Sequence, residues 1–501
     1  MFKDNEAFNA VDAIWFVEDE LFFTQHKYHQ QKLVLHRASM KAYLDSFDGR
    51  SFDLEYYDNK SLEGSVFILE QAKKAGFEQI QIFYVSDYLL EKRINQWASA
   101  NSDVKIKWLE SPLFINKRNE LAKYFNNDKK SFRMEDWYRS ERKKRNILMN
   151  DGNPVGREWN YDHQNRDKLP KNHAVPDNPS TNKNNYITEA IEYVAENFAV
   201  HPGDADRFWY PATHDDAEKW FENFLHVRFK DFGPYEDAIK ANSESVLYHS
   251  VLSPLINIGL LEVKNVVDRI LRYAEQDEIP INSTEGLIRQ LIGWREFMHG
   301  LYLHRGVQMR QSNFFNHTRD VPAVFWSSGI EIDPIDNVIS RALNTAYAHH
   351  IERLMVVSNY CVLAEFNPDH VYGWFMELFI DAYDWVMVPN VYSMSLFADG
   401  GIMATKPYIS SSNYLDKMSD YKRDKDNPDH WSAKWDALYW RFMHKHRDFM
   451  ESNARLSRVT SHLDRMNDLN DKLELAQSEL ARLSKMDSYY GTGYKALKQS
   501  S

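Results

Sequence analysis

The hydrophobic rhythm of this chain changes once, near residue 150, and that change limits the folds open to it. Up to about residue 130, short apolar runs (AIWFV at 13–17, QIQIFYV at 79–85, VKIKWL at 104–109) alternate with helical stretches such as LVLHRASMKAYLDSF at 33–47. Such alternation predicts a parallel sheet covered by helices, with ligands at the C-terminal ends of the strands. Residues 150–186 are polar and rich in Pro, Asn and Asp, with no hydrophobic period, and read as a connector. From about 187 to 450 the period is helical, as in EGLIRQLIGWREFMHGLYLH at 285–304 and SRALNTAYAHHIERLMVVSNYCVLA at 340–364. We therefore expect an α/β N-terminal domain with a parallel sheet (1–135), a connector (136–186), a large all-α domain (187–450) and a helical tail (451–501).

In the tail, Met466, Leu469, Leu473, Ala476, Leu480 and Leu483 follow a 3-4-3-4-3 spacing. Fewer than three heptads is short for a coiled coil, so the 463–485 helix is expected to pack back on the helical domain; a partner or self contact is the alternative. There is no run of about 18 apolar residues, so no membrane span is expected. The acidic N-terminus lacks the basic-then-apolar pattern of a signal peptide. A lone cysteine, Cys361, excludes an internal disulfide and suits a reducing cytoplasm. The net charge of −12 opposes binding to phosphate-rich polymers except through a local basic patch. Such a patch is offered by RSERKKR at 139–145, which supplies Arg139, Arg142, Lys143, Lys144 and Arg145. A solvated helix face is the plainer reading of that run.

Aromatic side chains make up 14% of the chain, enough for dense helix packing, for stacking on flat ligands, or for relaying electrons. The most specific feature is the tandem histidine in AYAHHIERLM at 346–355, followed by DAYDWVMVPNVYSMSLFADGG at 381–401. A lone histidine on an apolar helix face is usually a satisfied core residue. Two together, with Arg353 one turn on and Asp381 and Asp384 downstream, ask for another explanation.

These strings, with HSVLSPLINIGLL at 249–261, STEGLIRQLIGWREF at 283–297, KPYISSSNYLDKMSDY at 406–421 and GNPVGREWNYDHQNR at 152–166, resemble the prokaryotic (6-4) photolyases and cryptochrome B proteins of the photolyase and cryptochrome superfamily. The likeness runs in order from about residue 10 to 445. It implies an FAD site: His249, Ser250, Leu252 and Ser253 at the diphosphate, Arg353 and Asp381 as the ion pair beside the isoalloxazine ring, Asn390 facing its N5 region, and Gln290 and Asp384 as further contacts. It also implies light-driven electron transfer from reduced FAD to a (6-4) lesion in UV-damaged DNA, with His349 and His350 as proton donors. The lesion would leave the base stack to reach the flavin, with Arg139, Arg142, Lys143 and Tyr408 holding the DNA. Trp326 and Trp374 match two members of an electron-relay chain; the next position, commonly Tyr, is Phe375, which predicts weaker or rerouted photoreduction.

The region 26–43 resembles the part of relatives that carries a 6,7-dimethyl-8-ribityllumazine antenna. Relatives also hold a four-iron, four-sulfur cluster through four cysteines. The matching positions here are Pro334, Lys422, Lys425 and Ala433, none of which offers a thiolate, so no iron–sulfur cluster and no other metal is expected. Packing of Trp431, Trp435, Tyr439 and Trp440 would take over its structural role. The same pocket would equally serve a cryptochrome-type photoreceptor, which stands as the alternative. A weaker third reading is a light-independent nucleic-acid-binding module.

Overall fold

The computed structural model of the protein describes residues 2, 7–8, 11–47, 52–61, 64–125, 129–424, 426–453 and 456–489. The three foreseen strands form as β1 (Ala13–Val17), β3 (Gln79–Phe83) and β4 (Lys105–Leu109), and a fourth, β2 (Asp53–Tyr57), joins them. Pairing is parallel throughout, with Ala13 opposite Asp53 in β1–β2 and Gln79 opposite Lys105 in β3–β4. The single sheet expected from the sequence is thus two parallel pairs, with no ladder between them among the described residues. Phe2 bridges toward β3, its ring edge-on to Phe83 at 5.2 Å. β2 was hidden in the sequence because DLEYY puts exposed acids on one face and half-buried Leu54, Tyr56 and Tyr57 around them. An amphipathic edge strand of this kind has no continuous apolar run to betray it.

The helix Gln30–Asp45 belongs in sequence to this α/β half but is buried on nearly every side at its start: Gln31, Lys32, Leu33, Val34, Leu35 and His36 are all sequestered. It packs against the helix Asn185–Asn197 across the connector. Arg37 fixes that contact, bonding Glu18 at 2.8 Å and Glu189 at 2.6 Å. Lys32 reaches into the helical half, where its ammonium donates to the Ala382 carbonyl at 2.5 Å. The main apolar core consequently runs without a break from Phe23 to Leu483, and only small satellite clusters lie under the two strand pairs.

Beyond the connector the chain is helical, as foreseen, with one break that periodicity missed. The helix Asp333–Thr345 stops at Ala346, whose φ of 56° closes the helix in the left-handed region. Residues 347–349 belong to no helix or strand, and helix resumes at His350. The Ala346 carbonyl accepts from Ile380 N at 3.0 Å, so a tertiary bond holds the chain where the local apolar period would continue.

The tail helix Leu469–Ser484 folds back along the helix Trp431–Lys445, burying Ala476, Leu480 and Leu483. Its seam is therefore turned inward, and Arg319 Nη1 donates to the Leu480 carbonyl at 3.1 Å. Of the four positions aligned with cluster cysteines, Pro334 opens the helix Asp333–Thr345, Lys422 is exposed, Ala433 lies in the helix Trp431–Lys445, and Lys425 falls outside the described residues. Trp431 and Trp435 are buried here, and Trp435 Nε1 donates to the Ser410 carbonyl at 3.0 Å. Cys361 is free and buried in an apolar helix, and burial raises its thiol pKa. No helix among the described residues is long and apolar enough to cross a membrane.

The two halves lock where the wholly buried Phe125 ring lies over Gly300; a Cβ there would sit 2.0 Å from Cε2 of that ring. Gly300→Ala should therefore lose stability by about 1–2 kcal/mol, overpacking outweighing the helix-propensity gain. An unchanged or higher urea midpoint would show that the ring yields freely.

Candidate functional site

Three helices of the large domain each change from α to π hydrogen bonding over seven residues: Arg289–Arg295, Glu352–Ser358 and Pro389–Ser395. A π turn widens the helix by one residue and re-aims the side chains around it, and such turns concentrate at functional sites. All three face one cavity of about 700 Å³. The first supplies Arg289, Gln290, Leu291, Trp294 and Arg295, the second Arg353, Leu354 and Met355, and the third Asn390, Val391, Met394 and Ser395.

The fourth wall is the loop 249–253. His249, Ser250, Leu252 and Ser253 all line the cavity, as does Val251 between them. Val251 adopts φ 51°, a left-handed conformation that a β-branched residue rarely takes. Strain of that kind persists only where the surroundings enforce it. Trp220 Nε1, donating to the Ser250 carbonyl at 3.2 Å, is one such constraint.

Across the cavity, Arg353 and Asp381 form a two-pronged pair, Nη1 to Oδ1 at 2.8 Å and Nη2 to Oδ2 at 3.1 Å. Arg353 Nε also donates to the Ala348 carbonyl at 2.7 Å, so the guanidinium plane is fixed by three bonds. Asn390 donates to the Val386 carbonyl at 2.8 Å. Gln290 donates to Glu236 at 2.6 Å, and Tyr408 and Phe375 also line the cavity.

The paired histidines part company. His350 presents its ring to the cavity, exposed there yet enclosed by protein in depth, and burial and the neighbouring Arg353 hold its pKa down to about 4. His349 lies behind the wall, stacked on His249 with ring centres 4.6 Å apart and 3.4 Å from Glu352, which is ion-paired with Arg341. Burial drives both His249 and His349 well below the ordinary imidazole pKa. The break at Ala346 explains the split: helix restarts at His350, so the two side chains point in different directions.

Asp384 is placed away from the cavity. Burial works against its ionisation, but Arg310 and the hydroxyls of Tyr302 and Tyr372 hold its carboxyl below the usual range. Trp374 is buried one layer behind Phe375, their ring centres 5.0 Å apart, and donates to the Phe325 carbonyl at 2.7 Å. The neighbouring Trp326 donates to Glu377 at 2.7 Å and stacks on Tyr489 of the tail at 3.9 Å.

The basic run is divided as well. Arg142 is fully buried and spends its guanidinium on the carbonyls of Ile147, Leu148 and Trp159 at the end of its own helix, so it cannot meet a phosphate. Arg139 and Lys143 are exposed beside Trp159, with Arg139 paired to Glu135 at 2.8 Å. Where the connector adjoins the cavity, four carboxylates (Glu135, Asp162, Glu236, Asp237) line it against two guanidiniums, Arg166 and Arg289. Burial raises Glu236 to about 7 and Asp237 to about 6. Arg289, Arg295, Trp294 and Trp385 were missed as cavity residues, although all four sit inside strings the sequence had marked, 283–297 and 381–401.

The cavity is lined by aromatic and apolar side chains together with guanidiniums, hydroxyls and carboxylates. Its size falls in the range of small-molecule and cofactor sites, and three buried polar atoms of lining residues, His249 Nε2 and Arg289 Nε and Nη2, have no hydrogen-bond partner in the protein.

Residues 1–210 match the family model described as deoxyribodipyrimidine photo-lyase-related protein. Over 473 residues, covering 92% of each chain, the sequence is 31% identical to a (6-4) photolyase of Agrobacterium fabrum. Among solved structures, a bacterial class III photolyase from Agrobacterium tumefaciens superposes with a TM-score of 0.54 at 12% identity, covering 95% of this chain and 92% of that one. A cryptochrome from Synechocystis sp. PCC6803 does so with a TM-score of 0.51 at 13% identity, covering 88% and 83%. Both superpositions extend over the α/β half and the helical half alike, so the likeness is one of overall fold. This chain belongs to the photolyase and cryptochrome superfamily.

The cavity histidine makes stability pH-dependent. With its folded-state pKa near 4 and a free imidazole near 6.5, His350 lets the unfolded chain take up a proton first as the pH falls. Stability is then full above pH 6.5 and declines toward pH 4. His350→Asn should make that decline shallower, by up to one proton in the slope of urea stability against pH; an identical profile would show that His350 titrates normally.

Proposed function

We propose that the protein is a light-driven flavoenzyme that repairs (6-4) pyrimidine photoproducts in DNA, with FAD held in the cavity walled by the three π turns. What carries this reading is that ten residues matched by resemblance, scattered from 249 to 408, line that one cavity: His249, Ser250, Leu252, Ser253, Gln290, His350, Arg353, Asp381, Asn390 and Tyr408. The similarity to the Agrobacterium (6-4) photolyase over nearly the whole chain supports it.

The chemistry that a bound FAD supplies is light-driven one-electron reduction of the lesion. Ser250, Ser253 and His249, with its unpartnered Nε2, are suited to the diphosphate, and the Arg353–Asp381 pair and Asn390 to the flavin ring. Trp374 and Trp326 remain the proposed electron relay, with Phe375 between Trp374 and the cavity. His350 holds the proton for the base-to-base transfer. Burial and Arg353 keep its ring neutral near pH 7, and an anionic ligand beside it favours the protonated form. His349, behind the wall, positions rather than donates. Arg139, Lys143 and Tyr408 are the remaining DNA contacts, and a lumazine antenna in the N-terminal half and a cytoplasmic location complete the proposal.

One observation favours the alternative, a cryptochrome-type photoreceptor: the connector side of the cavity carries more carboxylates than guanidiniums. A phosphate backbone is repelled there, whereas a protein partner need not be. Illumination of the reduced protein with an oligonucleotide carrying a single (6-4) lesion separates the two. Repair should restore both bases, and His350→Ala should abolish it while flavin stays bound. Unrepaired lesion alongside clean flavin photoreduction would transfer the assignment to the photoreceptor.

A further inference from the structure

Far from any role assigned above, two imidazoles and a carboxylate converge on one point. One ligand atom each from His317, Glu365 and His446 lies within 4.8 Å of the other two, and none of the three residues lines the large cavity. They come from three separate segments: the turn after the helix Glu296–Arg310, the end of the helix Asn359–Leu363, and the end of the helix Trp431–Lys445.

Each segment is built to aim its side chain inward. Asn313 clasps the His317 backbone on both sides, accepting from its N–H at 2.9 Å and donating to its carbonyl at 2.8 Å. Glu365 holds φ 60°, the left-handed position that closes a helix and that glycine fills more easily. A glutamate kept there despite that cost points to a use for its side chain. His446 caps its helix, and the Phe315 ring packs against both imidazoles, with ring centres at 5.6 Å and 4.8 Å.

His317 is 4% exposed, and its Nε2 is buried with no hydrogen-bond partner; the Nε2 of His446 is in the same condition. Two buried, unpartnered ring nitrogens beside one carboxylate are costly in a core unless something joins them. Their ring centres are 6.4 Å apart, about 1 Å wider than two imidazoles sharing one tetrahedral ion at about 2.1 Å, so the rings draw together when the ion binds.

We propose that His317, Glu365 and His446 bind a divalent transition-metal ion of the zinc type, with a fourth position open to water. Arg441 and Lys445 select which ions enter. Both close on Glu365 Oε1, at 2.7 Å and 2.6 Å, leaving Oε2 for the metal and placing two positive charges beside it. Ions held by charge and oxygen ligands alone, such as Mg²⁺ and Ca²⁺, are disfavoured there. Ions that bond strongly to neutral imidazole are not. The bound ion would tie the ends of two helices to the 313–317 turn, acting as a structural clip independent of flavin.

The test is equilibrium dialysis and cobalt absorption spectroscopy on tag-free, chelator-stripped full-length protein. One equivalent of Zn²⁺ or Co²⁺ should bind at micromolar concentration, with tetrahedral-type cobalt absorption and a raised melting temperature. Equimolar Mg²⁺ or Ca²⁺ should do neither. His317→Gln and His446→Gln should each abolish the bound equivalent and the thermal shift, and Glu365→Gln should weaken binding at least tenfold; far-UV circular dichroism of the metal-free variants confirms that they fold. A wild-type protein that takes up no zinc, or glutamine variants that keep the full equivalent, would overturn the proposal.

Discussion

A regular α-helix repeats its hydrogen bonds every four residues and so spreads consecutive side chains around its circumference. The helices that wall the central cavity give up that regularity where they meet it. Wider π turns at Arg289–Arg295, Glu352–Ser358 and Pro389–Ser395 let neighbouring residues such as Arg289 and Gln290, or Asn390 and Val391, face the same space. The bond lost at each turn is tolerated because the surrounding core fixes the helices independently. Glu296, buried beside the first π turn, accepts from the backbone of Ile115 and Asn116 at 2.9 Å each and anchors that helix to the other lobe.

The architecture was legible where periodicity is local. The runs at 13–17, 79–85 and 104–109 are strands, the polar stretch before 187 is largely irregular, and the tail helix turns its seam inward. β2 escaped notice because its exposed face is acidic. The interruption within 340–364 escaped the helical period there for a different reason: a hydrophobic period records which residues are buried, and residues 346–349 are buried whether helical or not. What breaks the helix is a bond from Ile380, more than thirty residues away, which no local pattern contains.

At the site, resemblance located the cavity lining well but could not see depth. His349 and His350 are adjacent in sequence and one layer apart in space. Asp384 and Arg142 have the right charge for a ligand contact, yet each is committed to partners of its own, Arg310 with two tyrosines in one case and three carbonyls in the other. Buried charges are stable only when paired, so a charged residue matched by sequence is as readily a structural one. What distinguishes the two is the set of partners each finds in the fold.

The solitary cysteine has a practical consequence. Cys361 is enclosed among apolar side chains, where the thiolate is disfavoured and reagents do not reach it. The native chain is thus a nearly silent background for thiol chemistry. A cysteine introduced at one exposed position, such as Val200 or Lys422, would be the sole reactive handle on the molecule, ready for a spin label, a dye or a surface tether.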